Sequence, residues 1–188
     1  MQALVSFLPP PVDHEVQSLW DELEARFGLR YVRKTPFPHI TWQLGEEYAR
    51  EQAVPLLREL AQRQRPIPLK LDGIGVFNGP SPVVYLRVVK TRTLVRIHRQ
   101  LHEALQACLL QPNPFYLPGQ WEPHVTLAVQ DLSAEQVSGV VDFLNQKQLK
   151  WQCLLEDWVL LCQQPDGRAG VEYVFKLGTG GFERRDCA

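Results

Sequence analysis

Two four-residue phrases carry the chemistry available to this chain. Residues 38–41 read Pro38-His39-Ile40-Thr41, and residues 123–126 read Pro123-His124-Val125-Thr126. Each is a Pro, a His, a β-branched apolar residue and a Thr. The chain has 5 His in 188 residues. A single His-x-Thr is a weak signal; the same phrase twice is a specific one. In a strand, residues i and i+2 face the same way. His39 and Thr41 therefore project together, as do His124 and Thr126, while Ile40 and Val125 point into a core. Two such pairs facing one another surround a small polar ligand with two imidazoles and two hydroxyls. Histidine titrates near neutrality, so one ring can accept a proton while the other donates one. Taken singly, a strand His after Pro reads as a packed or surface residue; the repetition is what argues against that.

The elements that must hold these side chains follow from the pattern. Residues 3–8 form a short apolar strand. Val12, Val16, Leu19, Trp20, Leu23 and Phe27 recur at helical spacing, with Gly28 at the C′ position. Residues 29–32 and 39–44 read as strands around a turn. A second helix carries Ala53, Leu56, Leu57 and Leu60, with Pro55 leaving its start open. Residues 69–77 and 83–89 form a hairpin around Asn78-Gly79-Pro80. A third helix carries Leu94, Ile97, Leu101, Leu105 and Cys108. A Pro- and aromatic-rich loop (111–122) leads into the second motif strand, 124–129. Ser133 and Gln136 suggest a capping box before a fourth helix, and 151–155, 158–162 and 171–177 are final strands. Strands broken by helices argue for an α+β fold with mostly antiparallel sheets. The motifs lie 85 residues apart, close to half the chain, the footprint of a degenerate internal repeat.

Composition narrows the function. Hydrophobic content of 45% and charged content of 22% are those of an ordinary globular protein. A net charge of −1 gives no basic field for long duplex nucleic acid; a nucleic-acid substrate would be an end, a short piece or a nucleotide. Arg26, Arg30, Arg33 and Lys34 crowd the segment before the first motif, as a solvated helix end or as a rim that guides phosphate. The four Cys have no Cys-x-x-Cys spacing, which leaves a zinc ribbon or redox dithiol unsupported. No signal peptide and no span of about 20 apolar residues is evident. The expectation is a monomeric cytoplasmic protein with reduced thiols and no membrane contact.

The paired motifs resemble the His-x-Thr/Ser signature of the 2H phosphoesterase superfamily, in its 2′-5′ RNA ligase and cyclic nucleotide phosphodiesterase branch. The Phe7-Leu8-Pro9-Pro10 turn resembles that branch too, as does Ile74-Gly75-Val76-Phe77 followed by Pro82-Val83-Val84-Tyr85-Leu86. The resemblance runs from about residue 3 to 177. It implies two pseudo-symmetric lobes side by side in one domain (1–177), helices on the outer faces, a central cleft and a loose tail (178–188). It implies that His39 and His124 are catalytic and that Thr41 and Thr126 bind phosphate. The chemistry fits. Opening a 2′,3′-cyclic phosphate needs a base on the incoming water and an acid on the leaving ribose oxygen, roughly in line across phosphorus. The Thr hydroxyls would hold the non-bridging oxygens. The family's hydrolysis leaves a 2′-phosphate and needs no metal or cofactor. The expectation is a metal-independent phosphoesterase that opens 2′,3′-cyclic phosphates, or cleaves or joins 2′-5′ linkages, of RNA ends or nucleotides. His39 is taken as acid and His124 as base. The alternative is an inactive nucleotide- or RNA-end-binding module of the same fold.

Further candidates come from strand alternation. Tyr85 and Arg87 share a face, and so do Tyr173 and Phe175. If those faces line the cleft, Arg87 meets phosphate and an aromatic stacks on a base; otherwise they pack in the core or lie on the surface. Phe77 and Trp121 are weaker candidates, and Trp42 alternates into the core. His98 and His102 stand at i, i+4 on a helix. That spacing can share a metal, but it lacks the Glu of a metalloprotease motif.

Overall fold

The computed structural model describes residues 1–187. The chain runs through β1 (Gln2–Phe7), α1 (Pro10–Phe27), β2 (His39–Gly45), β3 (Glu47–Tyr48) and α2 (Arg50–Arg63). It continues through β4 (Ile67–Phe77), β5 (Val83–Val88), α3 (Arg92–Leu105), β6 (Leu109–Leu110) and β7 (His124–Ala128). It ends with α4 (Val137–Asn145), β8 (Lys150–Leu155), β9 (Asp157–Gln163), β10 (Ala169–Lys176) and β11 (Phe182–Arg184).

Local sequence explains the main helices. α1 opens on Pro10 and Pro11, whose missing N–H groups cost nothing in a first turn. It buries Val12, Val16, Leu19, Trp20 and Leu23. Gly28 ends it at φ 74°, a left-handed cap that donates its N–H to the Glu24 carbonyl. The Thr91 hydroxyl accepts from the Leu94 N–H at 3.2 Å and so starts α3. α3 buries Leu94, Ile97, His98, Leu101 and Leu105 along one stripe. Pro55 lies inside α2, and the Glu51 it would otherwise bond is exposed.

The fold is α+β, built on two antiparallel sheets. One has strand order β11-β10-β9-β1-β2, the other β7-β5-β4-β8, and a small β3-β6 pair lies beside them. Each motif strand, β2 or β7, is thus the edge of its sheet, and the two edges contact each other across the cleft. The helices cross over. α1 follows β1 of the first sheet but packs on β7 of the second; α3 follows β5 of the second but packs on β2 of the first. A continuous core from Leu4 to Leu177 lies under these helices. A smaller apolar cluster, Val5, Val159, Leu161, Val171 and Val174, lies on the other face of the five-stranded sheet.

Three expectations are corrected. Residues 31–34 form a 3₁₀ turn, not a strand, because the Asp131 carboxylate accepts the N–H groups of Arg30 and Tyr31, each at 2.7 Å. Within the expected loose tail (178–188), residues 182–184 form β11 and pair with β10, and residue 188 lies outside the described residues. Cys187 then reaches Cys162 on β9 and forms a disulfide, Cα–Cα 6.4 Å, so that only Cys108 and Cys153 are free thiols. Among the described residues no helix is long and apolar enough to cross a membrane.

Candidate active site

The two motif strands are built alike, residue by residue. In β2, Leu4 pairs with Gln43 and Val5 with Thr41, so Trp42 is an extra residue. In β7, Val84 pairs with Ala128 and Tyr85 with Thr126, so Leu127 is extra. Each strand therefore bulges immediately after its Thr, which bends it and re-aims the side chains before the bulge. His39, Thr41, His124 and Thr126 are all half-buried, and Ile40 and Val125 are buried between them.

The prolines have a use. A residue before Pro is held extended, and in both motifs its carbonyl turns to the following His. His39 Nδ1 lies 2.5 Å from the Phe37 carbonyl and His124 Nδ1 lies 2.7 Å from the Glu122 carbonyl. A carbonyl only accepts, so both Nδ1 atoms carry a proton and donate it. Nε2 is left as the reactive nitrogen in both rings. Burial lowers both imidazoles from their ordinary value. The backbone carbonyls oppose this shift, and at His124 the Glu122 carboxylate opposes it further. At His39 the charge of His124 adds to the lowering.

Aromatic rings flank the His124 imidazole, and a Phe pair lies beside the His39 strand. Phe7 is the cross-strand partner of His39 and packs on Phe37 in a tilted pair, 4.9 Å between centroids and 32° between planes. His124 lies 5.2 Å from the Tyr85 ring and 5.0 Å, edge-on, from Phe77, and Phe77 stacks on Tyr85 at 4.2 Å. Tyr85 occupies the space over Gly75: a methyl group there would lie 2.4 Å from its ring.

Two tryptophans hold the strands. The Trp20 indole of α1 donates to the Thr126 carbonyl at 3.1 Å, and the Trp121 indole donates to the Thr41 carbonyl at 2.8 Å. Trp121 is buried between Trp42 (5.3 Å) and His98 (4.1 Å, 7° interplanar). His98 Nε2 bonds the Tyr116 carbonyl at 3.0 Å, and the Tyr116 hydroxyl bonds the Thr41 hydroxyl.

A cavity of about 170 Å³ brings together His39, Thr41, His124 and Thr126, with Tyr116 and Lys34 among its other walls. A second cavity, about 220 Å³, shares His39, Thr41 and Tyr116 and continues toward Arg168 on the β9–β10 turn. The other sequence candidates lie elsewhere. Arg87 and Tyr85 are the cross-strand partners of His124 and Thr126. The Arg87 guanidinium, however, is bonded to the Asp72 carbonyl at 3.2 Å, and Tyr85 is buried as a support for His124. Neither lines the two cavities. Tyr173 is corrected to a core residue: it does share a face with Phe175, but that face is the covered one, where both pack with Phe182. Trp42 is core, with its indole on Ser6 Oγ at 2.9 Å. Among the described residues no group of three or more His, Cys, Asp or Glu is arranged to hold a metal ion. Lys34 belongs to the basic cluster offered by the sequence as a phosphate-guiding rim, whereas Tyr116 carries no motif of its own and is a wall residue the pattern did not mark.

His98 is a structural imidazole, and its burial has a measurable consequence. Burial pushes it down to about 4 from 6.5. The folded chain therefore holds it neutral at pH values where the unfolded chain protonates it. Below about pH 6.5 the unfolded state binds the extra proton, so stability falls as pH drops and levels off near pH 4. At about 1.4 kcal/mol per pH unit, the loss across that window is roughly 3 kcal/mol. Urea unfolding of wild type and His98→Gln at pH 7, 6, 5 and 4 checks it. The wild type is expected to lose more stability than the variant over that range, and parallel curves would refute the assignment.

Comparison with known proteins agrees with the geometry. The sequence profile of the 2′-5′ RNA ligase superfamily matches residues 8–167. The chain belongs to this superfamily. These are 2H phosphoesterases, which places the activity of the chain among phosphoesterases. A Bacillus licheniformis protein provisionally named a phosphoesterase is 30% identical over 168 residues, 88% of this chain and 94% of the relative. A Geobacillus kaustophilus protein with the same kind of name is 29% identical over 166 residues, 87% and 90% of the two chains. Among solved structures, TT0787 of Thermus thermophilus aligns with a TM-score of 0.64 at 20% identity, covering 95% of this chain and 98% of its own. Escherichia coli LigT in complex with NADP+ aligns with a TM-score of 0.59 at 17% identity, covering 94% and 96%. LigT has also been solved with 3′-AMP. These structural likenesses show that the fold is shared with TT0787 and LigT.

Proposed function

We propose that the protein is a two-histidine phosphodiesterase that opens 2′,3′-cyclic phosphates of nucleotides or RNA ends, leaving a 2′-phosphate, with no metal in the reaction. The same site run backwards would join 2′-5′ linkages. One observation carries the reading: two imidazoles, each with Nδ1 committed to a backbone carbonyl, line one cavity with two Thr hydroxyls. That set supplies a base, an acid and two donors for the non-bridging oxygens. LigT, a protein of the same fold solved with NADP+ and with 3′-AMP, supports a nucleotide as the ligand.

The electrostatics favour the reverse of the roles expected from sequence. His124 has the Glu122 carboxylate to retain its proton, whereas His39 is lowered further by His124. In this scheme His39 Nε2 takes a proton from the attacking water. As the new P–O bond forms, the bond from phosphorus to the 3′-oxygen breaks, and His124 Nε2 gives that oxygen its proton.

The test is turnover of the four nucleoside 2′,3′-cyclic phosphates in EDTA from pH 5 to 9. Both imidazoles are lowered, so the bell-shaped kcat/KM profile is expected to peak below pH 6.5 and fall about tenfold per unit on its alkaline limb, where the acid loses its proton. No turnover with tight product binding would support a binding module instead.

A further inference from the structure

The structure separates the four basic side chains that crowd the segment before the first motif. The Arg26 guanidinium lies over the Phe143 ring at 4.6 Å. Arg33 is neutralised by Glu24 at 3.1 Å and by Asp21. Arg30 is exposed and does not line the cavity. Lys34 differs. Its ammonium stands 4.7 Å from the centroid of the Tyr31 ring, and no carboxylate among the described residues pairs with it. Lys34 and Tyr31 both line the cavity that holds the two motifs.

This rim is held in place. The Asp131 carboxylate accepts the Arg30 and Tyr31 N–H groups at 2.7 Å each, and Asp131 lies three residues beyond the end of β7. The 3₁₀ turn that carries Lys34 is thereby tied to the strand that carries His124. An unpaired ammonium at a fixed offset from a phosphate-binding centre is a site for a second anion. The cavity offers it no acidic side chain, so it does not suit a second cation.

We propose that Lys34, oriented by Tyr31, binds a second phosphate of the substrate, the one on the 5′-oxygen of the nucleoside that carries the cyclic phosphate. The proposal rests on the cyclic-phosphate reading above. The same chemistry occurs as a 5′-monophosphate on a free nucleotide and as the phosphodiester that links an RNA terminus to the nucleotide before it.

The experiment compares three substrates: adenosine 2′,3′-cyclic phosphate, its 5′-phosphorylated form, and the dinucleotide ApA ending in the cyclic phosphate. Wild type is expected to show kcat/KM at least about tenfold higher for one or both phosphorylated forms, as one charge-assisted contact supplies. Lys34→Ala is expected to bring these down to the value of the unphosphorylated substrate, through KM, and Lys34→Arg to restore most of the preference. The preference is expected to shrink with added salt. Preference for the 5′-monophosphate alone points to a nucleotide substrate, and preference for the dinucleotide alone to an RNA terminus. Equal wild-type values for all three, or an equal loss on all three in Lys34→Ala, would overturn the subsite. A parallel binding measurement uses adenosine 2′-monophosphate and adenosine 2′,5′-bisphosphate. If no cyclic phosphate is turned over, the proposed function fails. Tighter binding of the bisphosphate that is lost in Lys34→Ala would still support the subsite, and equal affinities would overturn it.

Discussion

His39→Ala and His124→Ala are each expected to lower kcat/KM on nucleoside 2′,3′-cyclic phosphates by roughly 10²–10⁴-fold, the usual range for losing a positioned acid or base. Neither ring is a core element: both are half-buried, on strands held by their neighbours' backbones. Thermal unfolding is therefore expected to stay close to wild type while turnover is lost. The two variants should differ in their pH profiles. With His39 as base, His39→Ala loses the acid limb; with His124 as acid, His124→Ala loses the alkaline limb. The rings act on one reaction, so the double variant is expected to fall little below the worse single one. Full activity in either single variant would refute the mechanism.

The second large effect is expected at Trp121. Its indole is buried, stacked on Trp42 and His98, and bonded to the Thr41 carbonyl. Trp121→Ala removes a core ring of the kind whose loss costs about 3–5 kcal/mol. For a chain of this size that lowers Tm by roughly 10 °C. Trp121→Phe separates packing from position. It keeps a ring but leaves the Thr41 carbonyl unpaired, a cost of about 1–3 kcal/mol, and it frees the strand to drift. Misplacement of a catalytic group by about 1 Å can cost about 100-fold in rate, so Trp121→Phe is expected to lose kcat more than KM. Calorimetry with steady-state kinetics checks both. A Trp121→Phe enzyme with wild-type kcat would show that the indole bond does not position Thr41.

The sequence made the motifs legible because the strand period is short and local. His39 with Thr41 and His124 with Thr126 share a face whatever the rest of the chain does. The same rule correctly paired Tyr173 with Phe175 but said nothing about which face is covered. That depends on helices distant in sequence and put Tyr173 in the core. The 3₁₀ turn at 31–34 was unreadable for a related reason: its cap is Asp131, about a hundred residues later. Tyr116 and Trp121 sit in an irregular loop without periodicity, and their roles depend on bonds to Thr41. The Cys162–Cys187 pair needed β11, a strand of only three residues, to bring the thiols together. Short-range order was therefore readable, and the wall of the cavity, assembled from distant loops, was not.

The placement of β2 and β7 at the edges of their sheets has a consequence beyond chemistry. An edge strand displays unpaired backbone groups and is a template on which another chain can add a strand. Here the two edges face each other, and on each a backbone carbonyl is taken by an indole N–H, Thr41 by Trp121 and Thr126 by Trp20. The tryptophans thus act as plugs against strand addition as well as clamps on the cleft. The cleft can stay open to a small anionic substrate while its borders resist self-association into extended sheets.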